Sequence, residues 1–162
     1  MPELQRLRAD HAPAVLAFEL ANRAYFARFV SDRGDAFFDH FTERYDALLA
    51  EQEAGSCVFH VLVSEDGTVL GRFNLVDLED GTAELGYRVS EHVAGQGVAS
   101  ATVQELCRLA AAHYGLRSLK AATTLDNVAS QKVLEKAGFV PDGRAEPGGR
   151  AGRWYRRELT AE

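Results

Sequence analysis

Val89-Ser90-Glu91-His92-Val93-Ala94-Gly95-Gln96-Gly97-Val98-Ala99-Ser100 is the stretch on which the interpretation of this chain turns. Gly95 and Gly97 stand where an extended run ends and an apolar helical pattern begins. Glycine lets the backbone turn sharply and lets a ligand come close. The N–H groups of a first helical turn have no partner within the helix, and the helix dipole favours negative charge there. A diphosphate placed on this turn would collect several charge-assisted hydrogen bonds, with the Ser100 hydroxyl as a further donor. Alone, Gly-X-Gly at such a junction is also what an ordinary tight turn requires. It lacks the third glycine of a dinucleotide fingerprint and the Gly-Lys-Ser/Thr of a nucleoside-triphosphate loop.

A second segment adds to the first. Ala122-Thr123-Thr124-Leu125-Asp126-Asn127-Val128-Ala129-Ser130 reads as strand end, loop and helix start, and the helix runs on to Ala137 before Gly138-Phe139. Asp126 or Asn127 can cap that helix, which is the plain explanation of either residue. Ser130, three positions after Asn127, shares its face of the helix, so an amide and a hydroxyl can enter one cleft together.

Working outward, Leu4–Arg8 alternates as a short strand. Asp10 caps a helix with Pro13 in its first turn, apolar through Val15, Leu16 and Leu20 and ending near Asn22. A helix is predicted over Asp35–Ala54, with Phe37, Phe38, Phe41, Tyr45, Leu48 and Leu49 at helical spacing and Gly55 as its terminator. Cys57–Ser64 and Val69–Leu75 flank the turn Glu65-Asp66-Gly67-Thr68, and Thr82–Ser90 follows Asp80-Gly81. Connections this short make an antiparallel meander. Strand and helix then alternate: helix Val98–Tyr114, strand Ser118–Thr123, helix Asn127–Ala137, strands Phe139–Gly143 and Trp154–Leu159. The expected fold class is α/β (α+β), a mixed central sheet of about seven strands with helices on both faces, in a single domain over residues 1–162. Trp154–Leu159 is expected to be an exposed terminal strand able to pair with a partner.

The net charge of −6 argues against general nucleic-acid binding, which uses basic residues to neutralise phosphates, and it suits a cationic amine. Arg144, Arg150, Arg153, Arg156 and Arg157 make the last third more basic; a solvated strand pair or contact with an anionic group accounts for them. Cys57 and Cys107 lie in apolar surroundings and read as small core residues, and no metal-ligand spacing surrounds them. The N-terminus lacks a basic region followed by an apolar run, and no stretch has the length of a membrane span, so a cytoplasmic location is expected.

Ala83-Glu84-Leu85-Gly86-Tyr87-Arg88-Val89, then Gly95-Gln96-Gly97-Val98-Ala99-Ser100, then Asn127-Val128-Ala129-Ser130 through Leu134-Glu135-Lys136-Ala137-Gly138-Phe139 resemble, in order and spacing, the GCN5-related N-acetyltransferase (GNAT) superfamily. Within it they resemble the ribosomal-protein N-terminal (alanine/serine) acetyltransferases, where an Asn-Arg pair often stands at the place of Asn22-Arg23. The resemblance implies the acyl-CoA N-acyltransferase fold and acetyl-CoA as cofactor, with no metal. The pantetheine arm would run beside the strand of Tyr87 and Val89, bonding to its backbone. The diphosphate would meet the loop of His92, Val93, Ala94, Gly95, Gln96, Gly97, Val98, Ala99 and Ser100. Asn127 would hold the pantetheine or acyl end, and Ser130 would lie near the thioester or departing thiolate. Lys132 and Lys136 would reach the adenosine phosphates, unless they are merely solvated.

Two positions depart from the superfamily pattern. His92 replaces a glutamine or arginine at the head of the loop and offers less reach and charge than guanidinium. Leu134 replaces the tyrosine that serves many members as general acid, and Ser130 is the substitute expected to stabilise the thiolate. The amine must be neutral to attack, and Glu84 on the central strand is the candidate base, through a water; an ordinary strand carboxylate is the alternative. The acceptor is a primary amine: a protein N-terminal α-amine or a small polyamine, aminoglycoside or amino acid. One or two of Phe26, Phe29, Phe37, Phe38, Phe41 and Tyr45 are expected to line the acceptor pocket, and the loop Glu146–Gly152 to fold over it. A non-catalytic CoA-binding sensor is the reading of a different class. No nucleic-acid or membrane partner is expected, and the chain is a monomer or homodimer.

Overall fold

Short connections and two positive-φ turns dictate the first half of the sheet. In the computed structural model, which describes residues 1–159, strands β1 (Glu3–Arg6), β2 (Val58–Val63), β3 (Val69–Glu79) and β4 (Thr82–Val89) pair antiparallel in sequence order. The β3–β4 turn places both Asp80 (φ 51°) and Gly81 (φ 77°) in the left-handed region, as a tight hairpin demands. Helix α5 (Val98–His113) then crosses to β5 (Ser118–Thr124), which lies parallel to β4. The sheet order is β1-β2-β3-β4-β5-β7-β6, with β6 over Val140–Ala145 and β7 over Gly152–Glu158.

Helices cover both faces. On one, α5 and α6 (Val128–Lys136) enclose Phe73, Leu85, Leu106, Leu119, Leu134 and Tyr155. On the other, α1 (Ala12–Ala21), α2 (Arg23–Phe26), α3 (Asp35–Asp39) and α4 (Phe41–Glu53) pack Val15, Phe18, Phe26, Phe37, Phe41 and Tyr45 against Phe59 and Val61. Cys57 and Cys107 are free and buried. Among the described residues, no helix is long and apolar enough to cross a membrane, and no group of three or more His, Cys, Asp or Glu gathers as a metal site would.

Several expectations are corrected. The helix predicted over Asp35–Ala54 breaks at His40 (φ −113°, ψ 28°) into α3 and α4. Phe37 and Phe41 still meet edge to face across the break at 5.8 Å, so the apolar spacing survives it and conceals it. Asp10 does not cap α1: its carboxylate accepts from Arg8 Nε at 3.1 Å, and His11 Nδ1 instead accepts the Arg8 N–H at 3.0 Å. β3 runs on past Leu75 to Glu79. Trp154–Leu159 is not an exposed edge. β7 inserts between β5 and β6 with Tyr155 wholly buried, and the sheet ends at β1 and β6.

His60 shows how the core treats a titratable group. Its Nδ1–H donates to the Phe73 carbonyl at 3.2 Å, and its Nε2 accepts from the Tyr114 hydroxyl at 2.8 Å. Burial pushes its pKa down to about 4, aided by Arg6 and opposed by the Phe73 carbonyl. The unfolded chain takes up the proton first, near pH 6.5, so the stability tied to neutral His60 is complete above that pH and lost as pH falls to about 4. The span corresponds to ~3 kcal/mol. Urea midpoints measured between pH 7 and pH 4 should show this decline, and His60→Gln should flatten it; an unchanged slope would refute the assignment.

Candidate active site

The parallel ladder between β4 and β5 lasts only three register pairs, Thr82–Ser118, Ala83–Leu119 and Glu84–Lys120. Beyond it β4 stays with β3 and β5 stays with β7, so the two strands diverge. The gap opens into a cleft of ≈ 200 Å³ walled by the end of β4, the glycine loop, α6 and the segment Tyr25–Val30. Pockets that enclose a ligand run to about 300–1,000 Å³, so a long ligand would lie along this cleft with much of its length outside.

The glycine loop forms as its residues require. Gly95 (φ 77°) and Gly97 (φ 79°) both occupy the left-handed region, which bends the chain into α5. No side chain caps the start of α5, so its first amides stay available to an anion. Gln96 Nε2 folds back onto the His92 carbonyl at 2.9 Å, and Ser100 Oγ donates to the Gly97 carbonyl at 3.3 Å. Lys136 Nζ stands 3.9 Å from where a Cβ on Gly97 would lie, which adds positive charge over the turn. Asn22 fixes the loop from behind. Its Nδ2 donates to the Phe18 carbonyl (2.9 Å) and to Ser90 Oγ (3.3 Å), and its Oδ1 accepts the Glu91 N–H (3.0 Å).

On the facing wall, Asn127 Oδ1 accepts the Ser130 N–H at 3.2 Å and caps α6. Its Nδ2 group donates to none of the described residues, so both hydrogens could serve a carbonyl in the cleft. Ser130 Oγ lies 3.0 Å from the Tyr87 hydroxyl, so α6 and β4 are bridged across the gap by two hydroxyls. Burial pushes the Tyr87 phenol up to about 12, and the Ser130 bond opposes the shift. Leu134 is 1% exposed in the core and does not line the cleft.

Residues 3–140 match the acetyltransferase (GNAT) domain family. The chain belongs to that family. A relative, the uncharacterized N-acetyltransferase p20 of Bacillus licheniformis, is 33% identical over 87 residues, 52% of this chain and 49% of p20; the match thus spans about half of that protein's length. The ribosomal-protein-S5-alanine acetyltransferase of Vibrio fischeri superposes with a TM-score of 0.89 at 19% identity, over 98% of this chain and 93% of that one. The spermidine N-acetyltransferase of Vibrio cholerae, in complex with CoA and spermine, superposes at 0.80 with 16% identity, over 98% and 95%. At these identities the likeness is one of fold.

Within this GNAT fold the cleft gathers Tyr87, Val89, Val93, Ala94, Gly95, Gly97, Ala99, Ser100, Asn127 and Ser130. His92, Gln96, Val98, Lys132 and Lys136 lie outside its lining, as does Glu84. His92 lines a separate depression together with Ala14, Asn22 and Asp66. Glu84 sits at the last rung of the parallel ladder, and strand alternation sends it to the face opposite Tyr87. Of the aromatic candidates, Phe26 and Phe29 line the cleft. Tyr25, Arg88, Ala129 and Val133 are added by the structure. The loop Glu146–Gly152 is tied to the mouth: Arg150 Nη1 donates to the Phe29 carbonyl at 3.0 Å, and Nη2 pairs with Asp126.

Uncapped amides, two left-handed glycines, a nearby ammonium and the open amide of Asn127 fit an elongated anion such as CoA. Gly97→Val would force a branched side chain into φ 79°, which strains the turn. Calorimetric titration should show CoA affinity weakened at least tenfold with the circular dichroism spectrum retained; undiminished affinity would remove the loop from the site.

Proposed function

We propose that this chain transfers an acetyl group from acetyl-CoA to a primary amine by direct attack in a ternary complex, with a protein N-terminal α-amine as the acceptor. The Tyr87–Ser130 hydroxyl pair at the point where β4 and β5 part carries the proposal. The fold shared with the S5-alanine acetyltransferase supports the acceptor. The fold shared with the spermidine acetyltransferase supports a small amine as the second reading.

When bound, acetyl-CoA supplies an activated thioester whose carbonyl carbon takes the amine while the C–S bond breaks. The loop Val93–Ser100 holds the diphosphate, and Asn127 orients the arm. A backbone amide near Val89 faces the carbonyl oxygen as its charge develops. Ser130 and Tyr87 receive the thiolate. A phenol near pKa 12 is a much weaker acid than an ordinary thiol at about 8.5, so full proton transfer is uphill; the pair acts by hydrogen bonding the sulfur. Glu84 shares its face of β4 with Gly86, where a Cβ would meet no atom within 4 Å, so the space above the glycine is open. An amine placed over Gly86 is about 6–7 Å along the strand from Glu84, a span for one bridging water to carry the proton.

Thiol release from acetyl-CoA over a panel of amines tests the proposal. Turnover with some amine is expected. Ser130→Ala and Tyr87→Phe should each lower kcat about tenfold or more, with the KM for acetyl-CoA changed much less, and Glu84→Gln should lower kcat by about 10²-fold. CoA binding without release across the panel would instead establish a sensor.

A further inference from the structure

The side of β4 opposite Tyr87 holds a charge arrangement that the net charge of −6 conceals. Glu19 of α1 is 1% exposed, and three guanidinium groups converge on its carboxylate. Arg33 donates through Nε (2.9 Å) and Nη2 (3.3 Å), Arg72 through Nη1 (2.8 Å) and Arg88 through Nη1 (3.2 Å). Burial pushes the Glu19 carboxyl up, but Arg33, Arg72 and Arg88 outweigh it and hold the group below its ordinary range. One carboxylate cannot balance three cations. The next acids, Asp32 and Asp35, are engaged by Arg23 at 2.8 and 2.9 Å, and they offset the excess only from the rim, where Asp35 is 87% exposed. Arg33 is 31% and Arg88 22% exposed, so solvent meets part of the excess, and an anion in the cleft would meet the rest.

Arg88 is the member of this cluster that reaches the cleft, and among the described residues it is the only charged side chain in the lining. Its guanidinium packs over the Phe26 ring at 4.6 Å. Only its Nη1 donates to a described residue, which leaves the rest of a planar donor fork for a ligand. Burial pushes its pKa down to about 10; Arg33 and Arg72 push the same way and Glu19 opposes. That is the state of a cation short of solvent and crowded by like charge.

We infer that the acceptor amine carries a carboxylate, and that Arg88, backed by Arg33 and Arg72, receives it. This rests on the acetyltransferase reading and narrows its acceptor. A guanidinium fork matches a carboxylate in two parallel hydrogen bonds. A polyamine or aminoglycoside finds no carboxylate among the described residues of the cleft lining and meets a like charge instead. Glu84 and Arg88 flank Gly86 on one face of β4, so the amine lies toward the acid end of this row and the carboxylate toward the base end. The α-carboxylate of a free amino acid and an acidic side chain beside a peptide's N-terminal amine offer the same chemistry.

The test compares matched acceptors on the full chain with acetyl-CoA: alanine against alaninamide, a peptide beginning Ala-Asp against one beginning Ala-Asn, and spermidine. At least one acid should exceed its amide tenfold in kcat/KM, and the pair that does so identifies the source. Arg88→Gln should bring that ratio close to one. Should this variant fail to fold, the ratio in the native chain decides, together with thermal stabilisation of its CoA complex by the acid and not by the amide. Equal use of acid and amide in both pairs, preference for spermidine, or a ratio that survives Arg88→Gln overturns the carboxylate inference and leaves acetyl transfer standing. No release with any amine overturns both.

Discussion

The active cleft exists because β4 and β5 stop pairing after Glu84 and Lys120. Each strand keeps a partner on its far side, so neither loses its place in the sheet when the shared ladder ends. The backbone groups released along the gap need partners of their own, and a buried donor or acceptor left alone costs about 1–3 kcal/mol. An extended ligand lying between the strands answers that need. Everything else in the site is arranged around the divergence: the glycine loop continues from the end of β4, and Asn127 continues from the end of β5.

Two polar clusters hold the walls at their separation. The Tyr87–Ser130 bridge joins β4 to α6 across the gap. On the opposite face, Glu19 joins α1 to β3, β4 and the segment before α3 through Arg72, Arg88 and Arg33. Apolar packing brings these elements together, but it is tolerant of small shifts, whereas hydrogen bonds between charged groups impose distance and direction. The cleft is therefore set by buried polar contacts that sit on two apolar cores.

Much of this was legible in the sequence. Gly95 and Gly97 announce the sharp turn into α5, because left-handed backbone at a helix start calls for glycine, and of the two capping candidates Asp126 and Asn127 it is Asn127 that starts α6. The antiparallel run of β2, β3 and β4 followed from turn residues and connection lengths. What the sequence did not disclose depends on separations that no local pattern spans. Tyr87 and Ser130 are 43 residues apart, and Glu19 meets arginines 14, 53 and 69 residues away. Arg88 follows Tyr87 directly, yet strand alternation turns it to the other face, toward Glu19 and Phe26. The insertion of β7 between β5 and β6 was hidden for the same reason, since the strand pattern of Trp154–Glu158 is the same at an edge or inside.

Asn22 gives the two halves of the site a common fastening. One amide holds the end of α1 through Phe18 and the entry to the glycine loop through Ser90 and Glu91. The wall that would greet the acceptor and the bed that would carry the cofactor thus hang on the same side chain. Were binding at one to tighten these bonds, the other would feel it, and by thermodynamic reciprocity the effect would be equal in both directions. In such an arrangement, order of assembly would be a property of the scaffold: the substrate that first stilled this amide would prepare the place of the second.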